Sequence, residues 1–159
     1  MNRRSSKGFT IAELITVIAI IGILAAVAMP VARLGMRRQK EIELKDRLRK
    51  ITDAIDRYHD TMLMRGTPIV PAQQMALGSD GYPKDLEELL KGIKMSDART
   101  IHFIRERDLI DPMTGRPEWD TLSSTDDPDT RSSNGVNVYE VHSTSAALSL
   151  DGKTRYNEW

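Results

Sequence analysis

One acid near the start of the chain, Glu13, is out of place for its surroundings. From Ile11 to Ala32 it is the only ionisable side chain in an apolar run. An ionised carboxylate inside a bilayer costs about 2.5–3.5 kcal/mol on insertion scales, so such a residue is a functional candidate by default. Two arrangements satisfy it. Glu13 lies about one turn from the start of the run and can reach back to headgroups, or a cation neutralises it. The simplest cation is the free amine of a neighbouring subunit, which requires a new N-terminus at Phe9 and hence a cut after Gly8. Pairing of that kind would set the axial register between copies of the chain.

Other chemistry is sparse. His59, His102 and His142 are scattered, without metal-ligand spacing, and neither H-E-x-x-H nor G-x-S-x-G occurs. Asp126, Asp127 and Asp129 lack the glycine and terminal glutamate of an EF-hand and read as a solvated acidic loop. The absence of cysteine excludes disulfides, thiolate metal sites and cysteine catalysis. No constellation points to an enzyme.

The element that must position Glu13 is a helix. As a helix, the apolar run spans a hydrocarbon core of about 30 Å. Arg3, Arg4 and Lys7 precede it without an acid, so the positive-inside rule places the N-terminus in the cytoplasm and the bulk of the chain across the membrane. Pro30 predicts a kink near Ala26 rather than a stop. Arg33, Arg37, Arg38 and Lys40 then read as an interfacial anchor. Leu44, Leu48, Ile51, Ile55, Tyr58 and Met62 recur at alternating spacings of four and three, which is one face of a helix. Asp46/Lys50 and Asp53/Arg57 supply pairs at four-residue spacing, and Gly66-Thr67-Pro68 ends the element. The pattern predicts a helix from about Phe9 to Arg65, about 85 Å long. Its first half is reserved for lipid or other copies of itself, and its second half packs on a small domain.

That domain is legible in pieces. Ile69 to Ser79 reads as loop. Gly81 to Leu90 reads as a proline-started turn and a short helix ending near Gly92. Ile101 to Ile104 is a short strand or extended segment, and Asp111 to Trp119 a turn with Trp119 plugging the core. Ser123 to Gly135 reads as a mobile polar loop. Val136 to His142 is the clearest strand, and Ala146 to Leu150 a weaker one before the Asp151-Gly152 turn.

The chain has 23 bases and 23 acids in 159 residues. Removing the first eight residues would leave 20 bases against 23 acids, a net charge of −3, which argues against nucleic-acid binding. A competing signal is Ala26-Val27-Ala28, an A-x-A site after an h-region of suitable length. Cleavage there would release a soluble chain beginning at Met29, although Glu13 and Pro30 both oppose it.

Gly8-Phe9-Thr10-Ile11-Ala12-Glu13-Leu14-Ile15, then Ile20-Ile21-Gly22-Ile23-Leu24-Ala25-Ala26 and Pro30, resembles the class III signal of type IV pilins and type II secretion pseudopilins. The resemblance implies cleavage between Gly8 and Phe9 by a prepilin peptidase, with methylation of Phe9. It places Glu13 at the family's assembly glutamate, and Gly22 and Pro30 at its helix-weakening positions. The later chain resembles the major (G-type) pseudopilin. Tyr82-Pro83-Lys84-Asp85-Leu86-Glu87-Glu88-Leu89 matches its helix start, and Asp111-Pro112 with Trp119 matches its turn. Val138 to Ser143 matches a strand leading on to a terminal tryptophan, here Trp159. The lack of a cysteine pair favours a pseudopilin over a pilus-building pilin.

The resemblance implies an α+β, pilin-like fold, a long N-terminal helix packed on a small antiparallel β domain. It divides the chain into a leader (1–8), a transmembrane and filament-core helix (9–32), an amphipathic second half (33–65) and a globular domain (66–159). It implies a structural subunit held in the inner membrane and then in a periplasmic pseudopilus. Its partners would be copies of itself, other pseudopilins, the peptidase, membrane lipid, and an assembly platform with its ATPase. Calcium near the C-terminus is also implied, with Asp151 the one counterpart and no acidic cluster around it; no other cofactor is expected. The alternatives are a type IV or competence pilin and a signal-anchored or secreted binding domain that never polymerises.

Overall fold

The computed structural model describes residues 8–63, 79–95, 99–127, 129–130 and 133–159. The fold is α+β and pilin-like, with one long apolar N-terminal helix and a small C-terminal antiparallel sheet region. The chain divides into two compact units at Gln39/Lys40. Helix α1 runs Ile11–Leu63 and contains Pro30 without ending there. The expected leader residues before Gly8, the stop at Gly66-Thr67-Pro68 and most of the Ile69–Ser79 loop lie outside the described residues.

In the second unit, α1 buries the stripe that its sequence periodicity marks. Leu44, Ile51, Ile55, Tyr58 and Met62 are buried, Leu48 is partly so, and Ala54 joins them. Asp46 and Lys50 pair at 2.7 Å. The expected Asp53/Arg57 ion pair is replaced by backbone bonds. Arg57 donates to the Asp53 carbonyl at 3.0 Å and to the Phe103 carbonyl at 3.0 Å. The latter ties α1 to a segment far away in sequence.

Helix α2, Leu86–Lys91, starts where expected because Asp85 caps it, its carboxylate accepting from Glu88 N at 2.9 Å. It stops at Gly92, whose φ of 72° is one that side chains rarely adopt. A Cβ at Gly92 would collide with the backbone carbonyl of Ile101. That close approach admits a two-stranded ribbon, β1 (Ile93–Lys94) against β2 (Thr100–Ile101), antiparallel with Ile93 opposite Ile101. The predicted segment 101–104 is therefore strand only at its start. Phe103 and Ile104 leave the ribbon to enter the core.

The second ribbon pairs β3 (Trp119–Leu122) with β4 (Glu140–Ser143), Trp119 opposite Ser143. Trp119 is a core residue, as expected, but it opens a strand rather than closing a turn. Its indole N–H donates to the Leu109 carbonyl at 2.7 Å. The strand expected over 136–142 is displaced toward the C-terminus. Val138 N instead donates to the Pro83 carbonyl and Tyr139 N to that of Leu122, both at 2.8 Å. Ala146 to Leu150 forms only an isolated bridge, Leu148 to Arg155.

Two buried polar side chains hold these turns. Asp111, fully buried, accepts from Ser143 Oγ at 2.6 Å and Met113 N at 2.7 Å. Asn137 accepts from Ser123 Oγ (2.8 Å) and Ser124 N (2.9 Å), and donates to the Ser79 carbonyl (3.1 Å). Asp126 accepts from Ser123 N at 2.8 Å and Asn134 N at 3.2 Å. The described part of the 123–135 loop is thus anchored through its own polar side chains, which sequence reasoning had counted as a sign of mobility.

The terminal segment closes the core. Tyr156 is the largest fully buried side chain, and its hydroxyl donates to Glu41 Oε1 at 2.8 Å. Leu150 N donates to the same oxygen at 2.6 Å. Trp159 meets the Tyr156 ring edge-on at 5.2 Å, and Lys45 Nζ lies 4.4 Å from the Trp159 ring.

Candidate assembly helix

The first unit is the N-terminal part of α1 together with the residues that start it. Gly8, Phe9 and Thr10 are outside the helix and exposed. Thr10 is the cap. Its Oγ1 accepts from Glu13 N at 3.2 Å, and its carbonyl accepts from Leu14 N at 3.1 Å. The Thr10 side chain therefore satisfies one of the N–H groups that a helix start leaves without partners, and its carbonyl takes the first intrahelical bond. The expected cleavage site, between Gly8 and Phe9, falls in exposed non-helical chain two residues before the helix.

Glu13 sits in the first turn of α1. A negative charge there is favoured by the helix dipole, which is positive at this end. Thr10 and Glu13 stand at the cap and third positions of the T-x-x-E capping pattern. That pattern is visible in the sequence and would have identified Thr10 as the residue that fixes where the helix begins.

From Phe9 to Met36 the large apolar side chains face outward. Phe9 is 83% exposed, Ile11 79% and Ile23 67%. Gly22 lies on this open surface, with nothing within 4 Å of where a Cβ would be. Thr16 returns its hydroxyl proton to the Ala12 carbonyl at 2.8 Å, which removes its one polar group from the apolar surface. α1 is long and apolar enough to cross a membrane. An exposed apolar surface of this extent on a folded chain requires lipid or protein to cover it.

The remaining candidates are occupied by structure. His59 stacks on Tyr82 with ring centroids 4.1 Å apart. His102 Nδ1 bonds the Leu90 carbonyl at 2.6 Å, and His142 Nδ1 that of Trp159 at 2.7 Å. The structure does not bring the three histidines into one site. Asp151 accepts from Ser149 Oγ and from Lys153 N, which holds its carboxyl below the usual carboxylate range, the serine bond contributing most. This is a turn-capping arrangement. Among the described residues no three His, Asp or Glu side chains converge as a metal site.

Residues 3–29 match the prokaryotic N-terminal methylation motif. This motif is a type IV pilin-like prepilin signal, and it supports a pilin-like family for the chain. The matched stretch includes Gly8, Phe9, Thr10, Glu13 and Gly22, and Pro30 follows directly. With the exposed apolar helix, it points to membrane anchoring, to processing by a prepilin peptidase and to polymerisation with pilin-like subunits. Comparison with curated proteins finds no match, and neither does comparison with solved structures.

Proposed function

We propose that the chain is a structural subunit of a periplasmic pseudopilus of a type II secretion system. Its helix would hold it in the inner membrane, N-terminus cytoplasmic, until an assembly platform and its ATPase draw it into a filament that pushes exoproteins outward. The observation that carries the reading is Glu13, a single acid in the first turn of an otherwise apolar, outward-facing helix inside the methylation motif. Cutting between Gly8 and Phe9 creates an amine four residues before that acid. Within one chain the two groups are near neighbours at the helix start. Between adjacent copies, the amine of one and the Glu13 carboxylate of the next pair in a medium of low dielectric. Leaving either charge unpaired there costs several kcal/mol, so the pair favours one axial register. Gly22 and Pro30 weaken the helix where subunits must bend against one another.

The choice of pseudopilus over surface pilus is supported by residues of the second unit. Tyr82 and Pro83 lead into α2, with Pro83 fully buried and its carbonyl taken by Val138 N. Asp111 and Trp119 are joined to the same core. These are the segments that resemble the major pseudopilin, and the chain has no cysteine pair.

The test is the mass of the N-terminal peptide from membranes of cells with and without prepilin peptidase. N-methyl-Phe9, found only with the peptidase, is the expected result. A chain beginning at Met29, or still at Met1, overturns the reading. Filament length and surface exposure at native expression levels then separate a pseudopilin, whose filaments stay within the periplasm, from a surface pilin.

A further inference from the structure

We infer that the end of the apolar segment carries a binding site for an anionic phospholipid, with Arg33 and Arg37 on the phosphate. The inference rests on reading α1 as membrane-spanning and is independent of the filament. A shallow recess of about 530 Å³ lies on this part of the helix, lined by Ala26, Met29, Pro30, Leu34 and the two arginines. Its form follows from the residue types. Ala26 and the compact ring of Pro30 leave the surface low, and Met29 and Leu34, both exposed, rise on either side.

The two guanidinium groups are four residues apart on a continuous helix, hence one above the other on one face. Arg33 and Arg37 are at the C-terminal end of the lining sequence, apart from Leu34 between them, and apolar side chains form the rest. That is the polarity of a phospholipid, a charged head at one end and hydrocarbon along the other. From Ile11 to Ala32 the helix rises about 33 Å, close to a hydrocarbon core of about 30 Å. The backbone of Arg33 and Arg37 therefore lies at headgroup level, with the Arg33 side chain turned back along Met29 at the edge of the acyl chains.

Charge selects the kind of lipid. Between Leu14 and Lys40 there is no acid, while Arg33, Arg37, Arg38 and Lys40 are all basic. Arg33 Nη2 is turned toward the sulfur of Met29, 3.9 Å away, a weak acceptor. A planar guanidinium binds phosphate through two parallel hydrogen bonds, a match that an ammonium lacks. A zwitterionic lipid adds its own cation to this basic cluster, and an anionic one does not.

The experiment is native mass spectrometry of the full chain released from neutral detergent after incubation with equal amounts of phosphatidylglycerol and phosphatidylcholine. Adducts with phosphatidylglycerol are expected to dominate and to fall as salt is raised. Each arginine near an anionic surface contributes about fivefold in affinity. The Arg33→Gln/Arg37→Gln chain should therefore lose about 25-fold for phosphatidylglycerol and little for phosphatidylcholine. Arg49→Gln, an exposed change farther along the helix, should leave both unchanged. Equal retention of the two lipids overturns the site, as does a double variant that keeps its phosphatidylglycerol. A double variant that loses self-association but not lipid assigns the face to a second copy of the chain and equally overturns it. Retention of neither lipid overturns it and the membrane reading together, whereas the N-terminal peptide mass tests the pilin-like processing separately.

Discussion

Two stretches of α1 share a backbone geometry and differ in almost everything else. Between Phe9 and Met36 apolar side chains point outward on every face. Between Leu44 and Met62 they are confined to one stripe and covered by α2, the two ribbons and the terminal segment, while charged residues take the other faces. Helix formation is therefore no guide to what a segment is for. The distribution of apolar residues around the helix is, because it states whether the covering material is the chain's own or must come from outside. In the second stretch the stabilising contacts are internal. In the first they are deferred to lipid or to another molecule.

Substitutions test this division. The largest expected effect is on assembly. Glu13→Ala should leave the chain in the membrane and its second unit folded, yet abolish filaments, as read by shearing and electron microscopy; normal filaments would sink the charge-pairing idea. Next comes a matched pair. Ile51→Ala, in the fully buried stripe, should cost about 3 kcal/mol in denaturant unfolding followed through Trp119. Ile18→Ala, on the outward-facing stretch, should change the same transition by less than about 0.5 kcal/mol. Equal effects would mean that the first stretch is also part of the folded core.

An effect comparable to that of Ile51→Ala is expected at Gly92, where alanine meets both a positive φ and the Ile101 backbone carbonyl; a loss of about 3 kcal/mol is expected. A more modest loss is expected of Tyr58→Phe, which removes the hydroxyl that donates to Glu88 Oε2 at 3.1 Å, for about 1 kcal/mol. This variant also has a pH signature. Burial, and then the Glu88 charge, raise the Tyr58 phenol above its ordinary value of 10.0. Above that pH the unfolded chain releases a proton that the folded chain keeps, so stability falls as pH rises. Unfolding curves from about pH 9 to about pH 11 should show the fall in the wild type and a shallower one in Tyr58→Phe.

What was legible in the sequence follows the range of the interactions. The stripe Leu44 to Met62 and the boundaries of α2 were readable because helical period and capping are local. Glu13 was readable because a charge in an apolar run is conspicuous. Thr10 was overlooked although its cap pattern is local. The β1–β2 ribbon was not readable, since strands of two residues carry no alternation. Nor were the roles of Asp111, Asn137 and Tyr156. Each depends on a partner far along the chain, and their residue types alone suggest surface turns and a loose terminus. The placement of Trp119 in the core was right, but the strand it opens is defined by pairing with residues 18 to 24 positions later.

The bond between Glu41 and Tyr156 joins residues 115 positions apart. Its consequence lies in the order of synthesis. The stripe on α1 is made well before the side chain that fills the centre of the core. Until then no sequence of local steps can finish the domain, because the long-range contacts that reward loop closure do not yet exist. The unfinished chain keeps an apolar face open throughout its synthesis. It is thus available to holding chaperones, and the domain closes only once Tyr156 can reach Glu41.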